Sequence, residues 1–183
     1  NKVGVVPTMG ALHQGHLSLV KASTAECGMT VVTVFVNPTQ FGPGEDYEQY
    51  PRDLDEDVRL LEDLGVDMVF APAANEVYAA DHSTYVAPPK VAELWEGELR
   101  PGHFRGVTTI VLKLFQIIPA DVAFFGQKDY QQTRVIKDMV ADLDLPVSIQ
   151  VCPTVRESDG LALSSRNAYL SEAERERALG LSR

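Results

Sequence analysis

Basic side chains are scarce in this sequence of 183 residues: 16 Lys and Arg stand against 26 Asp and Glu, a formal net charge of −10. That balance excludes a nucleic-acid binder, whose basic footprint would dominate its surface. It leaves open a small anionic substrate, for which one local cluster of cations is enough. Cysteine is scarcer still. Cys27 and Cys152 lie far apart and in no metal-ligand spacing, as expected of reduced thiols in a cytoplasmic protein. Long apolar runs are missing too. The longest, residues 107–118, is broken by Thr108, Thr109, Lys113 and Gln116, whereas a spanning helix needs about 20 apolar residues; no membrane partner is expected. There is no internal repeat, which excludes a repeat array. No secretory leader is read either: the chain opens on Asn1-Lys2, without a methionine, and enters a strand at once. It reads as a piece of a longer protein.

What is present is an ordinary globular composition, 45% apolar and 23% charged, at a length that suits one large domain. Strand and helix patterns alternate. Residues 3–6 form a short apolar run, and residues 16–25 read as helix. Residues 30–36 (TVVTVFV) are β-branched and apolar nearly throughout, as in a strand covered on both faces. Leu54, Val58 and Leu61 recur at helical spacing in an acidic segment that Gly65 stops. Strands are expected at 68–71, 121–125 and 147–151. Helices are expected over 104–118 and around the stripe Ile136, Met139, Val140 and Leu143, with one short helix near 91–97. Ser171-Glu172-Ala173-Glu174 opens a last helix that is still running at Arg183. This rhythm predicts an α/β fold: a Rossmann-like, doubly wound parallel sheet over residues 1–183. Such sheets bind ligands at the carboxyl ends of their strands.

Polar clusters lie at those ends. After the first strand comes PTMGALHQGH, residues 7–16. Its glycines match GxxxxGK[ST], but His16 replaces the lysine and Leu17 the Mg²⁺-binding hydroxyl, so it is no Walker loop. There remain two imidazoles three residues apart at a helix N-terminus, where free N–H groups favour an anion. A structural pair and a two-ligand metal site are the competing readings; His82 and His103 show no companion spacing for a zinc centre. The second cluster, Asn37-Pro38-Thr39-Gln40-Phe41, offers carboxamides that grip a hydroxyl or carboxylate without adding charge, or simply an Asn-Pro turn. In the third, Gly126-Gln127-Lys128-Asp129-Tyr130-Gln131-Gln132, Lys128 can neutralise a phosphate, Asp129 can hold ribose hydroxyls and Gln132 can face the same pocket. Its plain alternative is a loop with Asp129 as a helix cap. The fourth, residues 156–167, sets Ser164, Ser165 and Arg166 in a glycine-bearing loop that can fold over a polyphosphate, or lie solvated on the surface.

Taken together, PTMGALHxGH, FVNPxQF, GxKDxQQ and REsDGLAlSSRNxYL closely resemble the pantoate–β-alanine ligase (pantothenate synthetase) family, in order and separation and over essentially the whole chain. HxGH and SSRN are also similar to the HIGH and KMSKS signatures of the wider nucleotidyltransferase superfamily. The resemblance implies ATP-dependent joining of pantoate to β-alanine through an enzyme-bound pantoyl adenylate, with release of AMP and pyrophosphate. It assigns His13, His16, Lys128, Ser164, Ser165 and Arg166 to charge neutralisation on the phosphates, with Mg²⁺ on the triphosphate. Met9, Gly126, Asp129, Val155 and Leu163 join His16, Lys128, Ser164 and Arg166 around ATP. Pro7, Met9, Asn37, Gln40, Phe41 and Gln132 form the pantoate pocket. Glu56 and Asp57 match acidic positions near the Mg²⁺ and phosphate end; Arg100, His103 and Arg105 fall in a segment brought over the site.

The resemblance further implies a homodimer, and a smaller C-terminal domain that closes over ATP. Residues 171–183 would begin the helix leading to that absent lid. Two other readings stay open: another nucleotidyltransferase of the superfamily, and a binding-only nucleotide module.

Overall fold

The structure, a computed structural model, describes residues 1–181. Five strands form one sheet: β1 (Val3–Thr8), β2 (Met29–Val34), β3 (Met68–Phe70), β4 (Val122–Gly126) and β5 (Ser148–Cys152). Every pairing is parallel and the order is β3-β2-β1-β4-β5. Between the strands run α1 (Gln14–Glu26), α2 (Leu54–Glu62), α3 (Ala74–Val77), α4 (Glu96–Leu99), α5 (His103–Ile117) and α6 (Tyr130–Asp142), and α7 (Glu172–Ala178) follows β5. The expected α/β architecture is therefore the one found.

The apolar strands are explained by burial on both faces. Val5, Val31, Ala123 and Phe125 point into one core with α5 and α6, including Ile110, Leu114, Val135 and Ile136. Their neighbours Val6, Val32, Val122 and Phe124 point into a second core with α1 and α2, including Leu17, Val20 and Leu61. Alternation along one strand thus feeds two layers of helices. Among the described residues no helix is long and apolar enough to cross a membrane.

Strand order reverses between β1 and β4. The chain builds outward through β2 and β3, then returns to lay β4 on the other side of β1. The turns leaving these two strands diverge, and the gap between them is where doubly wound sheets open a ligand crevice.

Element limits shift in instructive ways. α1 starts at Gln14, ahead of residue 16, because His13 serves as its N-cap. β2 ends at Val34, where its neighbour β1 also ends. The single short helix expected near 91–97 is two pieces, a 3-10 turn Lys90–Glu93 and α4, divided by Trp95 at φ +51°. The final helix has the expected Ser171–Glu174 capping box but tightens after Ala178 into a 3-10 turn, Leu179–Leu181. Its predicted continuation to Arg183 falls outside the described residues.

Candidate active site

A cleft of about 190 Å³ opens at the carboxyl ends of β1 and β4. It is lined by Pro7, Thr8 and Met9 from the end of β1, by His13 and His16 from the start of α1, and by Gly126, Lys128, Asp129 and Gln132 from the β4–α6 connection. Asn37 and Gln40 enter from the turn after β2, Val155 and Leu163 from the loop after β5, and Val107, Ile110, Val111 and Leu114 of α5 supply an apolar wall.

Local bonding explains how the imidazoles are aimed. Thr8 Oγ1 accepts the Gly10 N–H at 3.2 Å while donating to the Thr33 carbonyl at 2.6 Å, tying the start of the turn to β2. His13 Nδ1 accepts the Gly15 N–H at 3.1 Å, and His16 Nδ1 accepts the His13 N–H at 3.3 Å. This reciprocal cap satisfies donors that a helix start leaves free. It also places the proton of each neutral ring on Nε2. The rings lie 4.1 Å apart, centroid to centroid. Burial first, and the neighbouring His13 second, push His16 from 6.5 down to about 4. His13 is also lowered, by burial and then by Lys128. Both are neutral hydrogen-bond donors at neutral pH. The positive charge lining this cleft comes from Lys128, beside the Asp129 carboxylate.

Asn37 is fully buried, and its amide is committed on every side. Oδ1 accepts from Tyr78 Oη at 2.9 Å and from Thr39 Oγ1 at 3.0 Å. Nδ2 donates to the Gly106 carbonyl at 3.2 Å and to Gln40 Oε1 at 3.0 Å. Gln40 therefore turns its Nε2 donor towards Met9 Sδ, 3.3 Å away in the cleft lining. The Asn-Pro segment is a turn, with Asn37 capping the 3-10 helix Pro38–Gln40, and it is a cleft wall as well. One reading does not displace the other.

Asp129 occupies the N-cap position of α6 but makes no capping bond with its side chain. Its carboxylate instead accepts from Lys128 Nζ at 3.0 Å, at an exposed rim. The helix-cap alternative thus holds for the position and the backbone of Asp129, not for its side chain, which pairs with Lys128. The two adjacent glutamines divide their work. Gln132 lines the cleft, whereas buried Gln131 donates to the carbonyls of Val91 and Leu94 and accepts from Glu96 N–H. It pins the segment before α4 onto α6.

The remaining expected residues distribute unevenly. Ser164, Ser165 and Arg166 do not line the cleft. Ser164 caps the 3-10 turn Ser165–Tyr169, and Arg166 forms a fork with Asp46 at 2.8 and 3.1 Å. Phe41 does not line the cleft and packs edge-on to Tyr47 and Tyr50. Arg105 lies over the Tyr85 ring at 4.0 Å, away from the site. Arg100 joins Glu45 at 2.6 Å and Glu96 at 2.8 Å and donates to His103, which in turn donates to the Gln40 carbonyl at 2.8 Å. This pair braces the turn that carries Gln40.

Glu56 and Asp57, expected near the Mg²⁺ and phosphate end, are both engaged within the chain. Glu56 is exposed and paired with Arg59 at 2.6 Å. Asp57 is buried, and its two oxygens accept the N–H groups of Ala11 and Leu12 at 3.0 and 2.8 Å. Among the described residues no three His, Cys, Asp or Glu side chains converge on a point that could hold a metal ion. Several cleft residues escaped sequence reasoning, among them Thr8, Phe35, the α5 wall, Tyr50 and Thr154. Tyr50 reaches the cleft from a loop with no periodic signal, and Thr154 follows β5; a polar position directly after a strand was the one available hint.

Comparison with known proteins gives consistent likenesses. Pantothenate synthetase 1 of Bradyrhizobium diazoefficiens is 55% identical over 182 residues, which is 100% of this chain and 64% of that protein. The structure of pantothenate synthetase from Thermus thermophilus superposes with a TM-score of 0.95 at 53% identity, covering 100% of this chain and 66% of that one. Pantoate-beta-alanine ligase from Francisella tularensis, crystallised with beta-gamma ATP and beta-alanine, superposes at 0.92 with 44% identity, covering 99% and 70%. The chain thus spans somewhat under two thirds of the length of its sequence relatives. The profile of the Pantoate-beta-alanine ligase family matches residues 1–183 in full, and the chain belongs to that family.

Proposed function

We propose that this chain binds ATP and pantoate in the cleft and supplies the adenylation chemistry of an ATP-dependent pantoate–β-alanine ligase. In this reading pantoate's carboxylate attacks the α-phosphorus and pyrophosphate leaves. The amine of β-alanine then attacks the acyl carbon and AMP leaves. No side-chain nucleophile is required, so the protein's task is alignment and charge stabilisation. The Nε2–H groups of His13 and His16 donate to phosphate oxygens and Lys128 neutralises their charge. Asp129 and Gly126 hold the ribose, and Val155 and Leu163 flank the adenine. Gln40, oriented by Asn37, and Gln132 grip pantoate, with Pro7 and Met9 against its dimethyl group. Ser164, Ser165 and Arg166 join only when the loop after β5 swings in, and Arg166 then exchanges Asp46 for a phosphate. Mg²⁺ would serve as counter-ion of the triphosphate.

The observation that carries the proposal is the convergence of two donor imidazoles, Lys128 and an orientation-locked Gln40 on one crevice at the strand-order reversal. We further propose that residues from 171 onward lead to a domain that closes over ATP, so that the chain alone binds weakly and turns over poorly. A homodimer in the cytoplasm completes the reading; sedimentation equilibrium showing only monomer would remove the dimer. Pantoate-dependent ATP–pyrophosphate exchange tests the chemistry, on this chain and on a version extended at its C-terminus. Exchange is expected in both and faster in the longer one. ATP binding without exchange in either would leave a binding module, and exchange indifferent to pantoate would point to another nucleotidyltransferase.

A further inference from the structure

Asp57 sits on α2, 46 residues from the turn it touches, and is 2% exposed. Buried carboxylates need partners. Among the described residues no cation pairs with it; Asp53 and Glu56 add like charge. What answers its charge is the pair of N–H groups from Ala11 and Leu12. The turn they belong to is unusual. Gly10 has φ +83° and Ala11 φ +51°, and a non-glycine residue holds that left-handed conformation only when its surroundings impose it. The fit is tight, because a Cβ on Gly10 would lie 2.8 Å from Asp57 Oδ2. The next residue after this clamped turn is His13. Its backbone N–H is the group that fixes the His16 ring.

We propose that Asp57 is a positioning residue: through the Gly10–Leu12 turn it sets the direction in which His13 and His16 present their Nε2–H donors to the cleft. The role in catalysis rests on the ligase reading above, but the aiming of the rings does not. Asp57→Asn keeps the size of the side chain while setting an amide donor against one of the two N–H groups. In protein labelled with ¹⁵N-histidine, long-range proton–nitrogen spectra report the tautomer and titration of each ring without any ligand. The parent should show both rings as Nε2–H forms, with His16 titrating at about 4. In Asp57→Asn we expect mixed tautomers and a His16 midpoint raised by about one pH unit. Pantoate-dependent exchange should fall on the order of a hundredfold, as for a misplaced donor. Asp57→Glu, which keeps the charge, should recover part of both. Unchanged ring spectra in folded Asp57→Asn overturn the proposal, whatever happens to activity. Altered spectra with no exchange even in the extended parent would keep the positioning role and remove the ligase reading. Failure of both variants to fold would make Asp57 a general anchor, and the proposal would fall.

Discussion

Imidazoles act here as neutral donors, and that changes what a substitution removes. His16→Ala deletes one Nε2–H from the proposed phosphate site. It should lower pantoate-dependent exchange by roughly 10²–10³-fold, the usual cost of one preorganised donor. The fold should lose only about 1 kcal/mol, the worth of its half of the helix cap; exchange assays beside denaturant unfolding check both numbers. Asn37→Ala behaves differently. It strips the orienter from Gln40 and leaves Tyr78 Oη and the Gly106 carbonyl with a lost partner, so stability should fall by about 1–3 kcal/mol. The KM for pantoate should rise about tenfold, with kcat changed less, because a binding group has lost its aim rather than a phosphate its donor. The spacing of His13 and His16 was legible in the sequence. Which nitrogen faces the cleft was not, since that depends on bonds made by the other one. The bonding of Asp57 was not legible for a related reason: an acidic residue in an acidic helix gives no local sign that backbone N–H groups from another segment will close on it.

Whole elements meet at Gly106, one turn into α5. A Cβ there would fall 2.4 Å from the Thr39 carbonyl and 2.6 Å from Gln40 Cα, so helix and turn approach as closely as backbones can. Gly106→Ala should cost about 1–3 kcal/mol through overpacking, and should weaken pantoate binding in the same variant, because the displaced turn carries Gln40. Thermal unfolding and the KM for pantoate measure the two effects. The run of apolar residues over 104–118 announced the helix. The packing partner could not be read, being 67 residues earlier in the chain. The loop after β5 shows the opposite limit. Its Ser-Ser-Arg-Asn sequence suggests a phosphate clamp, yet Arg175 of α7 holds Glu157 and Asp159 at 2.6 Å and Asp46 holds Arg166. Ion pairs across elements decide where such a loop rests, and composition does not encode them.

For the molecule as a whole, three buried or half-buried imidazoles share one sign. His13, His16 and His103 are all held below the ordinary 6.5, chiefly by burial. The unfolded chain therefore binds protons that the folded one refuses, and stability rises with pH across that range. Full stability is expected above about pH 6.5, with a decline as pH falls towards 4, where His16 protonates. Asp57, raised by burial, opposes the trend only at the acid end. Urea midpoints measured from pH 7.5 down to 4.5 check the slope; a flat profile would show that these rings are solvated. From the sequence alone came the alternating α/β architecture, the strand that starts it and the four polar clusters at strand ends, because periodicity and turn chemistry are local properties written residue by residue. Only the tertiary structure decided which clusters share a crevice, which way each amide and imidazole points, and that a carboxylate on α2 clamps the histidine turn. Those outcomes depend on strand order and on contacts between residues tens of positions apart, where burial and hydrogen bonding act through space rather than along the chain.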